Sequence, residues 1–174
     1  VSEALGLLYA MHWPYRQFET ARGVRKTPLY ERLKANNACF GDVAGWERAN
    51  WFAPKGVEAE DKPDFERART NWFAHVAEEH KAVRERVGLF DLSSFAKFMV
   101  EGPDAERELQ RISANNVAVP VGKIVYTTLL NIHGGIEADL TVTRLAADRY
   151  MIVTAAAAQR RDLALRIDRI APFD

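Results

Sequence analysis

Two side chains thirteen residues apart, the phenol Tyr126 and the carboxylate Asp139, have the types and spacing to do chemistry together. Both lie in Gly122–Arg144, GKIVYTTLLNIHGGIEADLTVTR, which reads as strand, tight turn, strand. Val125, Thr127 and Leu129 alternate with Tyr126, Thr128 and Leu130. Gly134-Gly135 breaks the run, and Leu140 and Val142 resume it with the β-branched Thr141 and Thr143. An aspartate entering an apolar strand is solvated, paired or used, because an unpaired buried carboxylate is costly. If the two runs pair, Tyr126 stands on the partner strand and phenol and carboxylate face one site. The competing reading is a plain Gly-Gly hairpin whose aspartate merely ends a turn.

Other elements must hold that hairpin. Residues 28–38 read as a short helix, with Pro28 in its first turn, Leu29 and Leu33 on one face and Asn36-Asn37 ending it. Residues 39–63, broken by glycine and proline, read as irregular chain. They carry Phe40, Trp46, Trp51 and Phe52, rings that call for burial. Residues 64–87 read as a helix, from Phe65, Ala68, Trp72, Val76, His80 and Val83, with Gly88 as the glycine just past its end. A strand over 95–100, a helix from Pro103 to Ile112, a strand over 148–154 and a helix over 158–171 follow. Pro14 keeps Trp13 out of helical geometry. Helices interleaved with a hairpin and further strands point to the α+β class: an antiparallel sheet with flanking helices.

Composition narrows the function classes. The 174 residues hold 24 basic and 24 acidic side chains, a balance that argues against a general nucleic-acid or anionic-membrane binder. One cysteine, Cys39, allows no disulfide framework and suits a reducing compartment. His12, His75, His80 and His133 have no metal-ligand spacing, so no metal is expected. No apolar run approaches the ~20 residues of a membrane span. The chain begins at Val1 and breaks off after Ile170-Ala171-Pro172-Phe173-Asp174, so it reads as a fragment of a longer protein.

Three segments carry a family resemblance. The Tyr126, Gly134-Gly135, Asp139 pattern resembles the folate-binding core of the aminomethyltransferases, the T-proteins of glycine cleavage. There an aspartate pair precedes the apolar strand; here the first of the pair is Ala138 and the second Asp139. Gly88-Leu89-Phe90-Asp91-Leu92-Ser93, Gly102-Pro103-Asp104-Ala105 and Asn115-Asn116 are similar to the early T-protein signature. The T-protein His-Met-Gly is replaced by Ser94-Phe95-Ala96-Lys97, a variant that resembles flavin-dependent sarcosine and dimethylglycine dehydrogenases. His12 to Gly23, Pro28-Leu29-Tyr30, Gly45-Trp46-Glu47-Arg48 and Asn50-Trp51-Phe52 resemble the connection between flavin and folate domains in those enzymes.

The resemblance implies residues 1–60 as connector and 61–174 as the N-terminal part of an incomplete tetrahydrofolate-binding domain. It implies an enzyme of one-carbon metabolism that passes the carbon of an oxidised N-methyl amine to tetrahydrofolate, giving 5,10-methylenetetrahydrofolate. FAD would sit in a domain absent from this chain, which has no Gly-x-Gly-x-x-Gly. The partners implied are folate, the amine and the missing flavin and C-terminal domains; the compartment is bacterial cytoplasm or mitochondrial matrix. Asp139 would orient the pterin, stabilise positive charge at nitrogen and accept a proton. Tyr126 would wall the pocket, and Asn115 would contact ligand by its place in the family, although an Asn-Asn turn explains it too. Asp91 reads as a turn cap, His133 as a solvated turn residue, and Arg16, Arg22 and Arg25 as a solvated or interdomain face, the alternative being that they face a carboxylate or phosphate. The rivals are a stand-alone aminomethyltransferase or demethylase, and a non-catalytic folate-binding or structural module.

Overall fold

The computed structural model describes residues 2–9, 18–64 and 69–170, the side chains of 63–64 and 165–170 excepted. The expected break at Trp13-Pro14, Arg16, positions 65–68 of the expected helix and the tail 171–174 lie outside the described residues. The chain is of mixed α and β class with antiparallel sheets and helices, in two compact units, Val1–Ser94 and Phe95–Asp174.

The first unit holds helices α1 (Ser2–Leu7), α2 (Tyr30–Ala35) and α3 (Phe73–Glu85). Its strands are β1 (Arg25–Lys26), β2 (Ala38–Val43), β3 (Trp46–Phe52), β4 (Pro63–Asp64) and β5 (Arg69–Thr70). Strands β2 and β3 form an antiparallel hairpin, β1 pairs in parallel with β3, and β4 pairs with β5. The expectation of irregular chain over 39–63 is therefore corrected. The aromatic run is a hairpin whose turn is Ala44-Gly45, with φ of 54° and 81°. Alanine in that left-handed conformation is not a recognisable hairpin signal. Trp51 is the buried anchor, with Cys39 and Ala53, and Trp72 and Val76 pack against them.

The expected helix over 64–87 begins only at Phe73. The preceding residues form the β4–β5 pair, pinned where Asn71 accepts from Lys62 N and donates to Glu60 O. The helix ends at Glu85, three residues before Gly88, so Gly88 is not its terminating glycine. The shorter helix Tyr30–Ala35 does end where expected: Asn36 is its cap and Asn37 takes φ 61°. Asp91 caps a turn, accepting from Ser93 N at 3.0 Å, and also accepts from Thr27 Oγ1 at 2.5 Å.

The second unit is a four-stranded antiparallel sheet in the order β6 (Ala96–Glu101), β9 (Arg149–Thr154), β8 (Ile136–Ala146), β7 (Ile124–Leu130). Helices α4 (Ala105–Ile112) and α5 (Gln159–Ile170) complete it. Ala105, Leu109 and Ile112 recur on one stripe of α4, and all three are buried. They meet Leu129, Ala138, Leu140, Val142, Tyr150 and Ile152 from one sheet face, with Val117, in the main core. Arg144 fastens the rim: it donates to the carbonyls of Val119, Ala146 and Ala147 and pairs with Glu106 at 2.6 Å. Glu106 also accepts from the fully buried Tyr150 hydroxyl at 3.1 Å. Burial first, then that bond, raises the Tyr150 pKa above its ordinary value.

Candidate functional site

The hairpin of β7 and β8 places the sequence-derived residues. Thr127 pairs with Leu140 and Leu129 with Ala138, all on the core face. Alternation then sends Tyr126, Thr128, Asp139 and Thr141 to the opposite face, where Thr128 is directly across from Asp139 and Thr141 across from Tyr126. Tyr126 and Asp139 are thus diagonal neighbours, within reach of a long side chain. The Tyr126 hydroxyl donates to Asp139 Oδ2 at 3.3 Å. Tyr126 is 61% exposed and Asp139 is exposed, so both are open to a ligand. The negative charge of Asp139 is the main cause that raises the Tyr126 pKa, with a smaller part from desolvation, and the phenol stays protonated through the neutral range.

Asn115 stands in the turn after α4 and joins this pair from behind. Its Nδ2 donates to the Tyr126 carbonyl at 3.2 Å and its backbone N–H to Thr127 Oγ1 at 3.0 Å. Its Oδ1 accepts from Asn116 N–H at 2.8 Å, so it is turn former and strand brace at once. The structure therefore brings Asn115, Tyr126 and Asp139 together. Thr127 is a hydroxyl inside the core, 2% exposed, satisfied by the Asn115 N–H and the Thr128 carbonyl.

Sequence reasoning credited the hairpin turn to its glycines and missed Asn131. Asn131 Oδ1 accepts from the N–H groups of His133 and Gly135, and its backbone bonds with Gly134 and Gly135 close the loop. Gly134 supplies the positive φ, 79°, that the turn requires. His133 is exposed there. The departure at Ala138 has a place in the core: the residue is 3% exposed and faces the apolar cluster.

The first unit carries separate polar constellations. Arg22 grips the buried Glu47 with Nε–Oε1 2.8 Å and Nη2–Oε2 2.7 Å, and Gly23 N–H adds a bond of 2.6 Å. The Arg22 hydrogen bonds hold the Glu47 pKa below its ordinary value against the opposing effect of burial. Arg25 lies over the Trp46 ring at 4.6 Å. Asp61 accepts from Trp51 Nε1 at 2.6 Å and from Cys39 Sγ at 3.4 Å. Burial, and then the Asp61 charge, push the Cys39 thiol up to about 11, the opposite of an activated nucleophile. Among the described residues no helix is long and apolar enough to cross a membrane.

The model of the GCVT N-terminal domain matches residues 29–171, and the chain belongs to that family. It is 52% identical, over 93% of its length, to the 4-methylaminobutanoate oxidase (formaldehyde-forming) of Paenarthrobacter nicotinovorans, and covers 19% of that protein. It is 36% identical, over 80% of its length, to mitochondrial dimethylglycine dehydrogenase of Mus musculus, covering 16% of it. The structure of glycine cleavage system aminomethyltransferase T from Bartonella henselae superposes with a TM-score of 0.69 at 30% identity, over 87% of this chain and 37% of that one. The chain thus spans less than a fifth of the length of these two curated relatives.

Proposed function

We propose that this chain is the folate-binding part of a flavin-dependent dehydrogenase of N-methylated amino acids. In this reading residues 1–60 connect a flavin domain to a T-protein-like domain that starts at residue 61. The observation that carries it is the Tyr126–Asp139 pair, 3.3 Å apart on an exposed sheet face and braced by Asn115. A phenol and a carboxylate side by side fit a pterin, whose ring nitrogens and N–H groups need both donors and acceptors. Tetrahydrofolate, when bound, supplies the nucleophilic N5 and N10 that take up the one-carbon unit. Asp139 orients the pterin, stabilises positive charge that develops beside it and takes up the proton released. Tyr126 keeps its own proton, because the neighbouring Asp139 charge raises its pKa, and so serves as wall and hydrogen-bond donor. Asn115 acts on the backbone of the strand, fixing the height of the phenol. No Gly-x-Gly-x-x-Gly occurs in these residues, so they carry no dinucleotide fingerprint, and the amine-oxidising step is assigned to no residue here. The relatives support bacterial cytoplasm or mitochondrial matrix as the setting.

A second reading is favoured by the relative whose name states that it forms formaldehyde. In that case the domain is retained while the oxidised carbon leaves as formaldehyde. One experiment separates the two: the full-length protein, wild type against Asp139→Ala, is given an N-methylated amino acid with and without tetrahydrofolate. Formaldehyde and 5,10-methylenetetrahydrofolate are then quantified. The folate reading expects methylene-folate from wild type, and formaldehyde from a variant that still oxidises amine at the same rate. Identical products from both proteins would show that Asp139 has no part in transfer.

A further inference from the structure

We infer that Lys97 reads an anionic group at the far end of the ligand engaged by Tyr126 and Asp139, and that this group is the glutamate carboxylate of a folate. The inference rests on the folate reading above and adds a specificity residue to it.

The register carries one row of side chains across the whole sheet. Lys97 pairs with Val153, Val153 with Thr141, and Thr141 with Tyr126. The strand neighbours of these residues, Phe98, Ile152, Leu140, Val142 and Val125, belong to or pack against the core, so the row lies on the opposite, open face. Lys97 is exposed there. With strands spaced ~4.8 Å, the Lys97 and Tyr126 backbones are separated by about 14 Å, and the long lysine stem shortens the gap for its charge. Across the strands the row offers a phenol with Asp139 beside it, a threonine, a valine and an ammonium. Folate presents the matching order when laid across the strands: a hydrogen-bonding pterin, an aromatic ring with an amide, and a carboxylate tail.

The position of the charge is selective. The next row along the sheet is Met99, Met151, Thr143 and Ile124, which has no cation. Beyond it comes Arg149, in register with Glu101 and two rows away from Tyr126. Lys97 is therefore the cation whose row contains Tyr126. A compact ammonium on a flexible stem suits a mobile carboxylate tail better than a fixed fork would.

The test uses the full-length protein and equilibrium binding of tetrahydrofolate, its triglutamate form and 6-methyltetrahydropterin, which lacks the benzoylglutamate. Lys97→Met keeps the apolar stem and removes the charge. It is expected to weaken both folates about tenfold, leave the pterin unchanged and flatten the salt dependence of folate binding. Lys97→Arg should restore most of the loss. Melting of the variant at the wild-type temperature checks that it is folded. Folate affinity unchanged in a folded Lys97→Met protein overturns the inference, and so does an equal loss for pterin and folate, which would place Lys97 at the head of the ligand or in the scaffold. A wild-type protein that binds neither probe defeats the folate reading itself, and Lys97 falls with it.

Discussion

Replacing Arg22 by methionine strands a carboxylate. Glu47 has only 4% of its side chain exposed and is held by two Arg22 bonds and the Gly23 N–H, whereas Arg22 keeps 35% of its side chain in solvent. Removing one partner of a fully buried pair costs about 3–5 kcal/mol. The half-open position of Arg22 lets water reach the carboxylate in the variant, which brings the expected loss to about 2–3 kcal/mol. Replacing both residues, Arg22→Met with Glu47→Leu, should cost less than the single change, because no charge is left behind. The pH dependence has a definite sign. In wild type the folded Glu47 pKa lies below its ordinary 4.5, so its contribution is present above 4.5 and is lost as pH falls through the folded value. In Arg22→Met the carboxylate loses the group that held its pKa down while burial still raises it, and protonation relieves the strain. The stability gap between the two proteins therefore narrows from pH 7 to pH 4. The assay is urea unfolding followed by tryptophan emission. Trp13, Trp46, Trp51 and Trp72 all precede residue 95, so the signal belongs to the first unit. A gap below about 1 kcal/mol at pH 7, or one that widens on acidification, would refute the reasoning.

Three further outcomes are expected. Leu109→Ala empties the centre of the second core, where Leu109 is 1% exposed, and should cost about 3–4 kcal/mol, read from far-ultraviolet circular dichroism and amide exchange in residues 95–170. Ala44→Gly removes a side chain from a φ of 54° and should stabilise the first unit by about 1 kcal/mol in the tryptophan assay; a loss of stability would contradict the turn geometry. Asp139→Asn should lower the Tyr126 titration toward its ordinary value of 10, since the Asp139 charge is its principal cause, while Tyr150, raised mainly by burial, stays put in carbon-13 tyrosine spectra.

Much of the second unit could be read from the chain because its local signals agree with its tertiary structure. The alternation in Val125–Leu130, the Gly134-Gly135 break and the stripe Ala105, Leu109, Ile112 each specify an element by themselves. Position 39–52 resisted because a β-hairpin there turns through Ala44-Gly45 instead of an asparagine–glycine pair, and its rings look alike whether in strand or loop. The start of the helix at Phe73 was hidden because apolar residues upstream continue a helical period while Asn71 ties the backbone into the β4–β5 pair. At the site, sequence spacing suggested the Tyr126–Asp139 encounter, but the brace by Asn115 depends on the turn after α4 coming to rest behind β7. That is a long-range contact with no local period to announce it.

The alternation along β8 has a consequence for how the site can change. Ala138 and Asp139 are consecutive, one facing the core and one facing out. A slip of one residue between β7 and β8 would drive the aspartate among Leu109, Leu129 and Val142 and lift alanine into its place. The core thereby acts as a proofreader of the hairpin: a chain that mispairs loses its exposed carboxylate and its stability in the same event. A one-residue slip of register is therefore felt first as lost stability, whereas substitutions on the open face leave the core pairing as it is.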